Sequence, residues 1–341
     1  MKKFINDGNS FVDETLEGIY LAHSARLSPV DGELRVLARC DEVADGKVGI
    51  VTGGGSGHLP TFLGYVGQGM LDACAVGNVF ASPSAQVMHK CIKAANRGGG
   101  VLCLFGNYGG DRMNFEMACE LADLDGIRCE QILMADDVAS APVGQAEKRR
   151  GVAGLILAYK IAGAAADRMM NLDEVCAVTR KAQANIRSMG VAVGPCILPQ
   201  IGKPTFEIKE GEIEIGMGIH GEPGIEVRPM MTADEVADLL LEKLMAELPL
   251  TKGDRAAVLI NGLGATPLEE LYILYRRLHN SLTELGVTLC APMIGEYATS
   301  MEMAGLSLSV IRLNDPELYD LYRHPANTPF FTNANQSGVT L

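Results

Sequence analysis

The sequence predicts an α/β protein of two domains. Its 341 residues exceed the size of one ordinary compact core. In the first half, short apolar segments alternate with helical patterns, which is typical of a parallel or mixed sheet with helices on its faces. The 39 glycines and the 5% aromatic content suit many tight strand-to-helix turns. We expect a mixed, mostly parallel sheet flanked by helices in the first domain, and a smaller two-layer α+β second domain.

The alternating pattern is clearest before residue 170. Strands are predicted at 46–52, 100–105 and 131–134, and helices at 10–27, 83–97, 111–125 and 147–168. The most apolar stretch, residues 151–166, is short, rich in glycine and alanine, and includes Lys160. It therefore predicts a buried helix and not a membrane span. Glycine-rich loops follow the strands, at the sheet edge where α/β proteins bind their ligands.

The helices become fewer in the second half, and we place the domain boundary near residue 188. The first domain is then residues 1–188 and the second 189–324, with the tail 325–341 packing back on the first. Helix start signals occur at Asn171 with Glu174, at Thr232 with Glu235, and at Thr266 as the N-cap before Pro267. Further strands are predicted at 212–215, 255–261, 286–291 and 306–313.

Composition and charge exclude several kinds of partner and location. The formal net charge of −13 disfavours nucleic acid, because neutralising phosphates requires an excess of cationic side chains. No apolar signal-peptide segment follows Lys2 and Lys3. The nine cysteines include no C-x-x-C pair, which indicates reduced and mostly buried thiols. We therefore expect a cytoplasmic protein.

Two glycine-rich loops stand out, and neither has all the sequence features of a nucleotide-binding loop, which include the helix that follows it. Residues 53–57 are followed by His58, where a P-loop would continue to Lys-Ser/Thr and the dinucleotide fingerprint would have its third glycine. Residues 216–221 match G-x-G-x-x-G letter for letter, but Glu-Pro-Gly follows, so no helix begins there. A nicotinamide-dependent oxidoreductase is accordingly the least favoured interpretation.

Each of these loops contains a histidine that is a candidate for catalysis. His58 ends Gly-Gly-Gly-Ser-Gly-His, and His220 lies within Gly-Met-Gly-Ile-His-Gly-Glu-Pro-Gly. The glycines let the backbone approach a ligand closely, and imidazole is suited to proton transfer near pH 7. A neutral imidazole acts as a base toward a hydroxyl or adds to a carbonyl carbon. The histidines predicted to be structural or superficial are His23, His89, His279 and His324.

Three sets of charged residues allow both structural and functional interpretations. Asp111 follows Gly-Gly at a strand end, where an N-cap and a ligand-facing role are about equally favoured. Asp136 and Asp137 offer carboxylates to a metal ion, but no third ligand is evident, so solvated or capping roles are favoured. The Lys-Arg-Arg at 148–150 predicts a solvated helix start in preference to an anion site.

Six motifs then occur in one order along the chain. They are Gly-Gly-Gly-Ser-Gly-His-x-Pro at 53–60, Gly-Tyr-Val-Gly-Gln-Gly-Met at 64–70, Asn-Tyr-x-Gly-Asp at 107–111, Arg-Arg-Gly-Val-Ala at 149–153, Gly-Ile-His-Gly-Glu-Pro-Gly-Ile at 218–225 and Leu-Gly-Ala-Thr-Pro-Leu at 263–268. Together they closely resemble the sugar-binding K subunit of dihydroxyacetone kinase. The resemblance spans essentially the whole chain, and motifs this long in series are highly specific.

The resemblance implies roles for the two histidines. The family binds dihydroxyacetone as a covalent hemiaminal between a histidine ring nitrogen and the ketone carbon, and His220 occupies that position. Glycerol, which has no carbonyl group, would be rejected. His58 and Asp111 match the residues that contact the hydroxyl to be phosphorylated; either could be the general base, and His58 is favoured. The other substrate-binding positions that the resemblance implies are Gly55, Ser56, Gly57 and Gly106.

The resemblance also implies partners. The reaction would be phosphoryl transfer to an alcohol in glycerol metabolism, with phosphoenolpyruvate as the distant donor. The sequence ends at Leu341, just after the K region, without the nucleotide-binding helical domain of single-chain members. The chain is therefore expected to bind no metal or cofactor itself, while an L subunit holds ADP and Mg²⁺ and is recharged by an M subunit. K subunits of the family are homodimers.

Two positions depart from the family pattern. Leu59 replaces a common Glu, and Gly106 replaces a common Lys that contacts the substrate. Loss of the lysine removes a donor and opens space, so a tetrulose such as erythrulose is an alternative substrate to dihydroxyacetone. A further alternative is a non-catalytic paralogue that senses the ketose and partners a transcription regulator. The presence of both His58 and Asp111 favours the enzyme.

Overall fold

Two sheets organise the structure, a computed structural model that describes residues 2–333. The first sheet contains β1 (Leu27–Val30), β2 (Glu33–Arg39), β3 (Gly49–Ser56), β4 (Ala73–Val79), β5 (Val101–Gly106) and β6 (Cys129–Met134). Its order is β1-β2-β4-β3-β5-β6. The four strands β4, β3, β5 and β6 are parallel to one another, and β2 pairs antiparallel with β1 and β4. The loops after the neighbouring strands β3 and β5 therefore share one sheet edge, where ligands gather in α/β proteins.

The second sheet is mostly antiparallel. It contains β7 (Ile186–Gly194), β8 (Glu212–Ile215), β9 (Glu226–Pro229), β10 (Arg255–Gly262), β11 (Thr288–Leu289), β12 (Met293–Gly295) and β13 (Ala304–Arg312). The order is β11-β10-β13-β7-β8-β9, with β12 also paired to β10. The short strands β11 and β12 run parallel to β10, and the other pairs are antiparallel. A small ribbon joins β14 (Ala326–Asn327) to β15 (Thr332–Asn333).

Helices cover both sheets and separate them. They are α1 (Phe11–His23), α2 (Ala85–Ala95), α3 (Gly109–Leu124), α4 (Gly154–Asp167), α5 (Leu172–Ala184), α6 (Ala233–Met245), α7 (Leu268–Glu284) and α8 (Pro316–Tyr322). Helices α2 and α3 pack on one face of the first sheet, and α6 and α7 on the outer face of the second. This α/β architecture, with a mostly parallel sheet and a smaller α+β part, confirms the predicted fold class.

Helix α4 lies between the two sheets, where it contacts β3 and β5 of the first and β7 and β13 of the second. Residues 154–166 are all buried, which confirms the buried helix predicted for this apolar stretch. Small side chains allow the close packing: a Cβ at Gly163 would lie 2.4 Å from the Met70 backbone. We estimate that an alanine there would cost about 1–3 kcal/mol through overpacking.

The start of α4 differs from the prediction. A helix was expected from residue 147, but residues Val143–Lys148 form a short 3-10 turn and the α-helix begins at Gly154. Arg149 turns inward between them, is only 1% exposed, and donates two hydrogen bonds to the Glu247 carboxylate at 2.6 and 2.7 Å. The expectation of a solvated helix start at 148–150 is therefore wrong for Arg149.

The start of α7 also differs from the prediction. The expected N-cap, Thr266, makes no capping bond, and Pro267 precedes the first helical residue instead. The Thr266 hydroxyl donates to the Gly305 carbonyl oxygen at 2.6 Å and accepts from the Gly305 N–H at 3.0 Å. Thr266 therefore forms hydrogen bonds with β13 and does not cap α7. The capping boxes predicted at 171–174 and 232–235 are both confirmed.

Three strands were missed in the first half. The helix predicted at 10–27 ends at His23, and β1 and β2 then form an antiparallel pair at the sheet edge. Strand β4 was also not predicted, although it lies in the middle of the sheet between β2 and β3. Strand β7 begins at Ile186, so a boundary at residue 188 would cut this strand; the division into domains near that point stays a prediction.

The segment after α8 returns to the first half of the chain. The Asn327 N–H donates to the Gln68 carbonyl oxygen at 2.9 Å, and the Thr328 hydroxyl donates to the Gly64 carbonyl oxygen at 2.7 Å. Residues 334–341 of the predicted tail lie outside the described residues. All nine cysteines are free thiols. Within residues 2–333, no helix has the length and hydrophobicity required to cross a membrane.

Candidate active site

The first glycine-rich loop continues β3 and is closely packed. A Cβ at Gly55 would lie 2.7 Å from the Ala81 backbone nitrogen. Gly57 has φ +103°, and a Cβ there would lie 2.8 Å from the Phe80 ring. The Ser56 hydroxyl donates to the Gly77 carbonyl oxygen at 2.8 Å. These glycines are therefore required by the neighbouring chain segment after β4, and their contacts with a substrate stay a prediction.

His58 is held in one tautomer and kept neutral. Its Nδ1 lies 2.8 Å from the Thr299 carbonyl oxygen, which only accepts, so Nδ1 carries the ring proton. The ring is 1% exposed, and Nε2 has no hydrogen-bond partner among residues 2–333. Phe80 stacks on the ring, with centroids 4.9 Å apart. Burial, reinforced by the charge on His220, lowers the pKa of His58 to about 3.

His220 is oriented by a carboxylate two residues further on. Its Nδ1 lies 2.7 Å from Glu222 Oε1, and its backbone N–H donates to Glu222 Oε2 at 3.0 Å. Burial of Glu222 would raise its pKa, but the hydrogen bond from His220 and the charge on that ring dominate and hold the pKa of Glu222 at about 2. Because the carboxylate is ionised, it accepts a hydrogen bond from Nδ1 of His220, which therefore carries a proton.

The two predicted histidines are brought together. Their ring centroids are 4.8 Å apart in an edge-to-face arrangement, although the two residues lie in different halves of the sequence. Tyr108 also approaches the His220 ring edge-on, at 4.8 Å, and Phe80 lies 5.2 Å from it. The second loop therefore meets the ends of the first sheet, and each imidazole has its Nδ1 hydrogen-bonded to an acceptor.

Asp111 lies within electrostatic range of His220. It is the third residue of α3 and is 8% exposed, and its Oδ1 accepts from the Ser82 hydroxyl at 2.6 Å. Burial raises the pKa of Asp111 to about 6, against the opposing effects of Ser82 and of the charge on His220. Tyr108 occupies the N-cap position of α3, so Asp111 is not the N-cap. Sequence reasoning missed Ser82, because no motif linked it to α3.

Gly106 ends β5 beside the same cluster. A Cβ at Gly106 would lie 3.1 and 3.2 Å from two atoms of the Tyr108 ring, so this ring already occupies the first part of the space that a lysine would need. The Tyr108 hydroxyl is buried and has no hydrogen-bond partner within the described chain. Glycine at position 106 therefore opens no space next to the backbone, because the Tyr108 ring lies there. Any space gained lies farther out, where the end of a lysine side chain would have been.

Leu59, the second departure, lies in a different environment. It packs against the main apolar core and lines a cavity of about 350 Å³ together with Phe62, Met301 and the N-terminal segment. His58 lies on the wall of this cavity, whereas His220 and Asp111 do not line it. The cavity lining is mostly apolar and also includes Lys2 and Lys3, and Leu59 contributes to its apolar part.

The acidic pair after β6 has structural roles in the described residues. The Asp136 carboxylate accepts from the backbone N–H groups of Val152 and Gly154 at 3.0 and 2.9 Å, at the start of α4. Asp137 is buried and accepts from Arg150 Nε at 2.9 Å, so neither the solvated role considered for Asp137 nor the solvated helix start at Arg150 is correct. In the part of the chain described, no three His, Cys, Asp or Glu side chains are placed to hold a metal ion.

The fold and the cluster define the class of protein. An α/β protein presents two imidazoles, each with its Nδ1 hydrogen-bonded to an acceptor, and a buried carboxyl group whose pKa is raised to about 6. Such a site provides a nucleophile for a carbonyl carbon and a base for a hydroxyl proton. Glu222, to which the sequence analysis assigns no role, orients the His220 ring; the His-x-Glu spacing in a glycine-rich turn was the available signal.

Comparison with known proteins gives the family. The family model described as the Dak1 domain matches residues 17–330. PTS-dependent dihydroxyacetone kinase 2, dihydroxyacetone-binding subunit DhaK, of Listeria innocua is 46% identical over 331 residues, covering 97% of this chain and 99% of that protein. L-erythrulose kinase of Pectobacterium atrosepticum is 44% identical over 341 residues, covering 99% of this chain and 57% of that protein. The chain therefore belongs to the Dak1 family.

Solved structures agree with this assignment. The dihydroxyacetone kinase of C. freundii in its native form superposes with a TM-score of 0.89 at 33% identity, covering all of this chain and 62% of that one. The dihydroxyacetone kinase operon co-activator Dha-DhaQ superposes with a TM-score of 0.88 at 33% identity, covering 94% and 98%. The fold is thus shared by a kinase and by a co-activator, so the side chains of the site must decide between these functions.

Proposed function

We propose that this chain is the ketose-binding subunit of a dihydroxyacetone kinase, and that it holds a short ketose as a hemiaminal on His220. The contact between His58 and His220, each with its Nδ1 hydrogen-bonded to an acceptor, carries the proposal. That arrangement leaves a nucleophilic lone pair on His220 Nε2 and a second unprotonated nitrogen on the neighbouring ring. The names of the full-length relatives support the choice of a ketose as ligand.

The covalent step balances without a co-reactant. The lone pair on His220 Nε2 forms a bond to the ketone carbon, and the C=O π electrons move to the oxygen, which takes up one proton. The imidazole ring loses one proton from Nδ1, next to Glu222, so the net reaction adds N–H across C=O and releases no water. Glu222 stabilises the positive charge that grows on the ring while the bond forms.

Ketose labelled with ¹³C at the ketone carbon tests the covalent step under native conditions. We expect its signal to move from the carbonyl region to that of a tetrahedral carbon bonded to oxygen and nitrogen when the protein is added in excess. His220→Asn should abolish the shifted signal, whereas the control His279→Asn, on the outer helix α7, should keep it. A ketone signal that persists unchanged with the wild-type chain would contradict the adduct.

The phosphoryl donor is proposed to be a separate L subunit that carries ADP and Mg²⁺ and is recharged by a phosphohistidine M subunit. Support comes from relatives matched over 99% of their length, which are named as subunits of PTS-dependent kinases. This chain would then supply substrate position and proton removal, with the nucleotide and metal held by the partner. Phosphorylated ketose should form only when the chain, a charged L subunit and the ketose are all present.

A tetrulose is a second candidate substrate. The replacement of lysine by Gly106 and the 44% identity to an L-erythrulose kinase favour it. Dihydroxyacetone and both erythrulose enantiomers should be compared under the same transfer conditions. Turnover on erythrulose that is equal to or lower than that on dihydroxyacetone would eliminate the tetrulose as the preferred substrate. Adduct formation without transfer to any of the three would instead favour a ketose sensor, the alternative suggested by the co-activator structure.

The chain is also proposed to form a homodimer. Four large apolar side chains lie together on the outer side of the second sheet, and each is about half exposed: Met230, Leu268, Tyr272 and Ile273. Such a patch is typical of a protein interface. Ile273→Glu should convert the dimer to a monomer in light scattering after gel filtration, whereas Leu124→Glu, at the end of α3, should leave the dimer intact. A wild-type monomer at micromolar concentration would contradict the proposal.

A further inference from the structure

Arg150 connects the second glycine-rich loop to the first half of the molecule. Its side chain is 13% exposed, and its Nη2 lies 2.7 Å from Asp137 Oδ2 at the end of β6. Nη2 also donates to the Gly216 carbonyl oxygen at 3.1 Å, where the loop begins. Nη1 lies 3.8 Å from Glu222 Oε2. One guanidinium group therefore contacts the segment that follows β6 and both ends of the loop that carries the predicted nucleophile.

Gly218 allows this close approach. A Cβ at this position would lie 2.1 Å from Glu222 Oε2 and 2.3 Å from Arg150 Nη1. The carboxylate and the guanidinium thus pack directly against the backbone of Gly218, and any side chain there would separate them. The buried Asp137 carboxylate fixes Arg150 from the opposite side, with Nε donating to it at 2.9 Å.

We propose that Arg150 is a positioning residue for the covalent step. It holds the Glu222 carboxylate in the orientation in which Oε1 accepts from His220 Nδ1, so the ring proton stays on Nδ1 and the Nε2 lone pair is available to the ketone carbon. The inference rests on the proposed function, because it assigns a task to the hemiaminal histidine. Arg150 acts through Glu222, in the way that an orienting group acts on a catalytic base.

The physical reason is a competition between two ring tautomers. In free imidazole the proton resides on either nitrogen, and the form protonated on Nε2 has no lone pair there to attack a carbon. A fixed carboxylate next to Nδ1 selects the reactive form. Without Arg150, Glu222 Oε2 would keep the His220 backbone N–H as a donor and lose its cationic neighbour, so the carboxylate would be less firmly held.

The ligand-free protein provides the first test. Full-length chain labelled with ¹⁵N in histidine is compared as wild type, Arg150→Met and Arg150→Lys, and His220→Asn identifies the His220 signals. We expect the wild type to show a proton on Nδ1 alone, and Arg150→Met to show both tautomers. Arg150→Lys should restore part of the wild-type pattern, because it keeps the charge but loses the two-pronged geometry.

The rate of adduct formation with ¹³C-labelled dihydroxyacetone provides the second test. We expect Arg150→Met and Glu222→Gln each to slow the reaction about tenfold. The double variant should be no slower than Glu222→Gln alone, because both residues act through one carboxylate. Arg277→Met is the matched control, since this exposed arginine on α7 pairs with Asp238 on α6 and should not change the rate.

Two results would overturn the proposal. One is an unchanged Nδ1 proton in Arg150→Met; the other is a double variant in which the two losses multiply. If circular dichroism shows that Arg150→Met is unfolded, Asp137→Asn is subjected to the same two measurements, because it loosens Arg150 without removing it. If the wild type forms no adduct, the proposed function fails, and the tautomer measurement alone still decides the role of Arg150.

Discussion

Asp111→Asn tests which group takes the proton from the hydroxyl that is phosphorylated. Burial raises the pKa of Asp111 to about 6, and burial lowers the pKa of His58 to about 3. A general base is most effective when its pKa lies near the operating pH. We therefore expect Asp111 to be the proton acceptor near neutral pH and His58 to be a hydrogen-bond acceptor for the substrate, although the family resemblance favours His58 as the base.

The magnitude follows from the titration of Asp111. With a pKa of about 6, roughly nine tenths of this carboxyl group is ionised at pH 7 and roughly one tenth at pH 5, so the rate should fall about tenfold between them. The assay is single-turnover transfer from a charged L subunit to the bound ketose between pH 5 and pH 8. The acid limb should be present in the wild type and in His58→Asn. In Asp111→Asn it should be absent, with a rate at pH 7 lower by about 10²–10⁴-fold.

The control is the fraction of ketose bound as the adduct, measured at each pH by ¹³C resonance, so that loss of binding is not mistaken for loss of transfer. A wild-type rate that stays flat from pH 8 to pH 5 would refute the assignment to Asp111. So would near-normal transfer by Asp111→Asn together with an inactive His58→Asn, which would return the role of base to His58 and show that substrate binding raises its pKa.

Three other substitutions have defined outcomes. Gly218→Ala should change the free energy of unfolding in urea little, because only the ends of the Glu222 and Arg150 side chains must move, but it should greatly reduce adduct formation, because the methyl group would displace the Glu222 carboxylate. Ser82→Ala removes a hydrogen bond that stabilises the Asp111 carboxylate, so the acid limb should move to higher pH in the transfer assay. Gly106→Lys should lower the ratio of kcat/KM for erythrulose to that for dihydroxyacetone by about tenfold.

Two of these substitutions have a matched control elsewhere in the chain. Gly144→Ala is the control for Gly218→Ala, since its Cβ would have no neighbour within 4 Å. Ser281→Ala, on the outer helix α7, is the control for Ser82→Ala and should leave the acid limb unchanged. An unchanged limb in Ser82→Ala, or an unchanged substrate ratio in Gly106→Lys, would contradict the contact on which that prediction depends.

Features with a local cause were predictable from the sequence. The capping boxes at 171–174 and 232–235 depend on residues three positions apart, and the buried helix α4 follows from an uninterrupted run of small and apolar residues. The loops that carry His58 and His220 were recognisable because glycine, histidine and a strand end coincide. The pairing of these loops at one site followed only from the resemblance, since no spacing in the sequence connects them.

Features that depend on distant contacts were not predictable. Thr299 sets the tautomer of His58 through its backbone carbonyl group. Any residue at position 299 would have this group, so the identity of the residue does not indicate the contact. Thr266 has every local feature of an N-cap, yet its hydroxyl is better satisfied by the backbone of Gly305 on β13. Arg149 and Arg150 resemble a solvated helix start because their carboxylate partners lie far away in the sequence or across a turn.

The two histidines are each held by the opposite half of the chain, and this explains why the site requires both sheets. His58 belongs to the first half and donates its Nδ1 proton to Thr299 of the second, at 2.8 Å. His220 belongs to the second half, and its loop is bound to the first through Arg150, which donates to the Gly216 carbonyl oxygen. A shift of one sheet relative to the other would therefore break both of these contacts at once. A substitution that disturbs the packing of α4 should therefore impair adduct formation even though it contacts neither imidazole. Gly163→Ala, which would press against the Met70 backbone, is the variant in which to measure the rate of adduct formation.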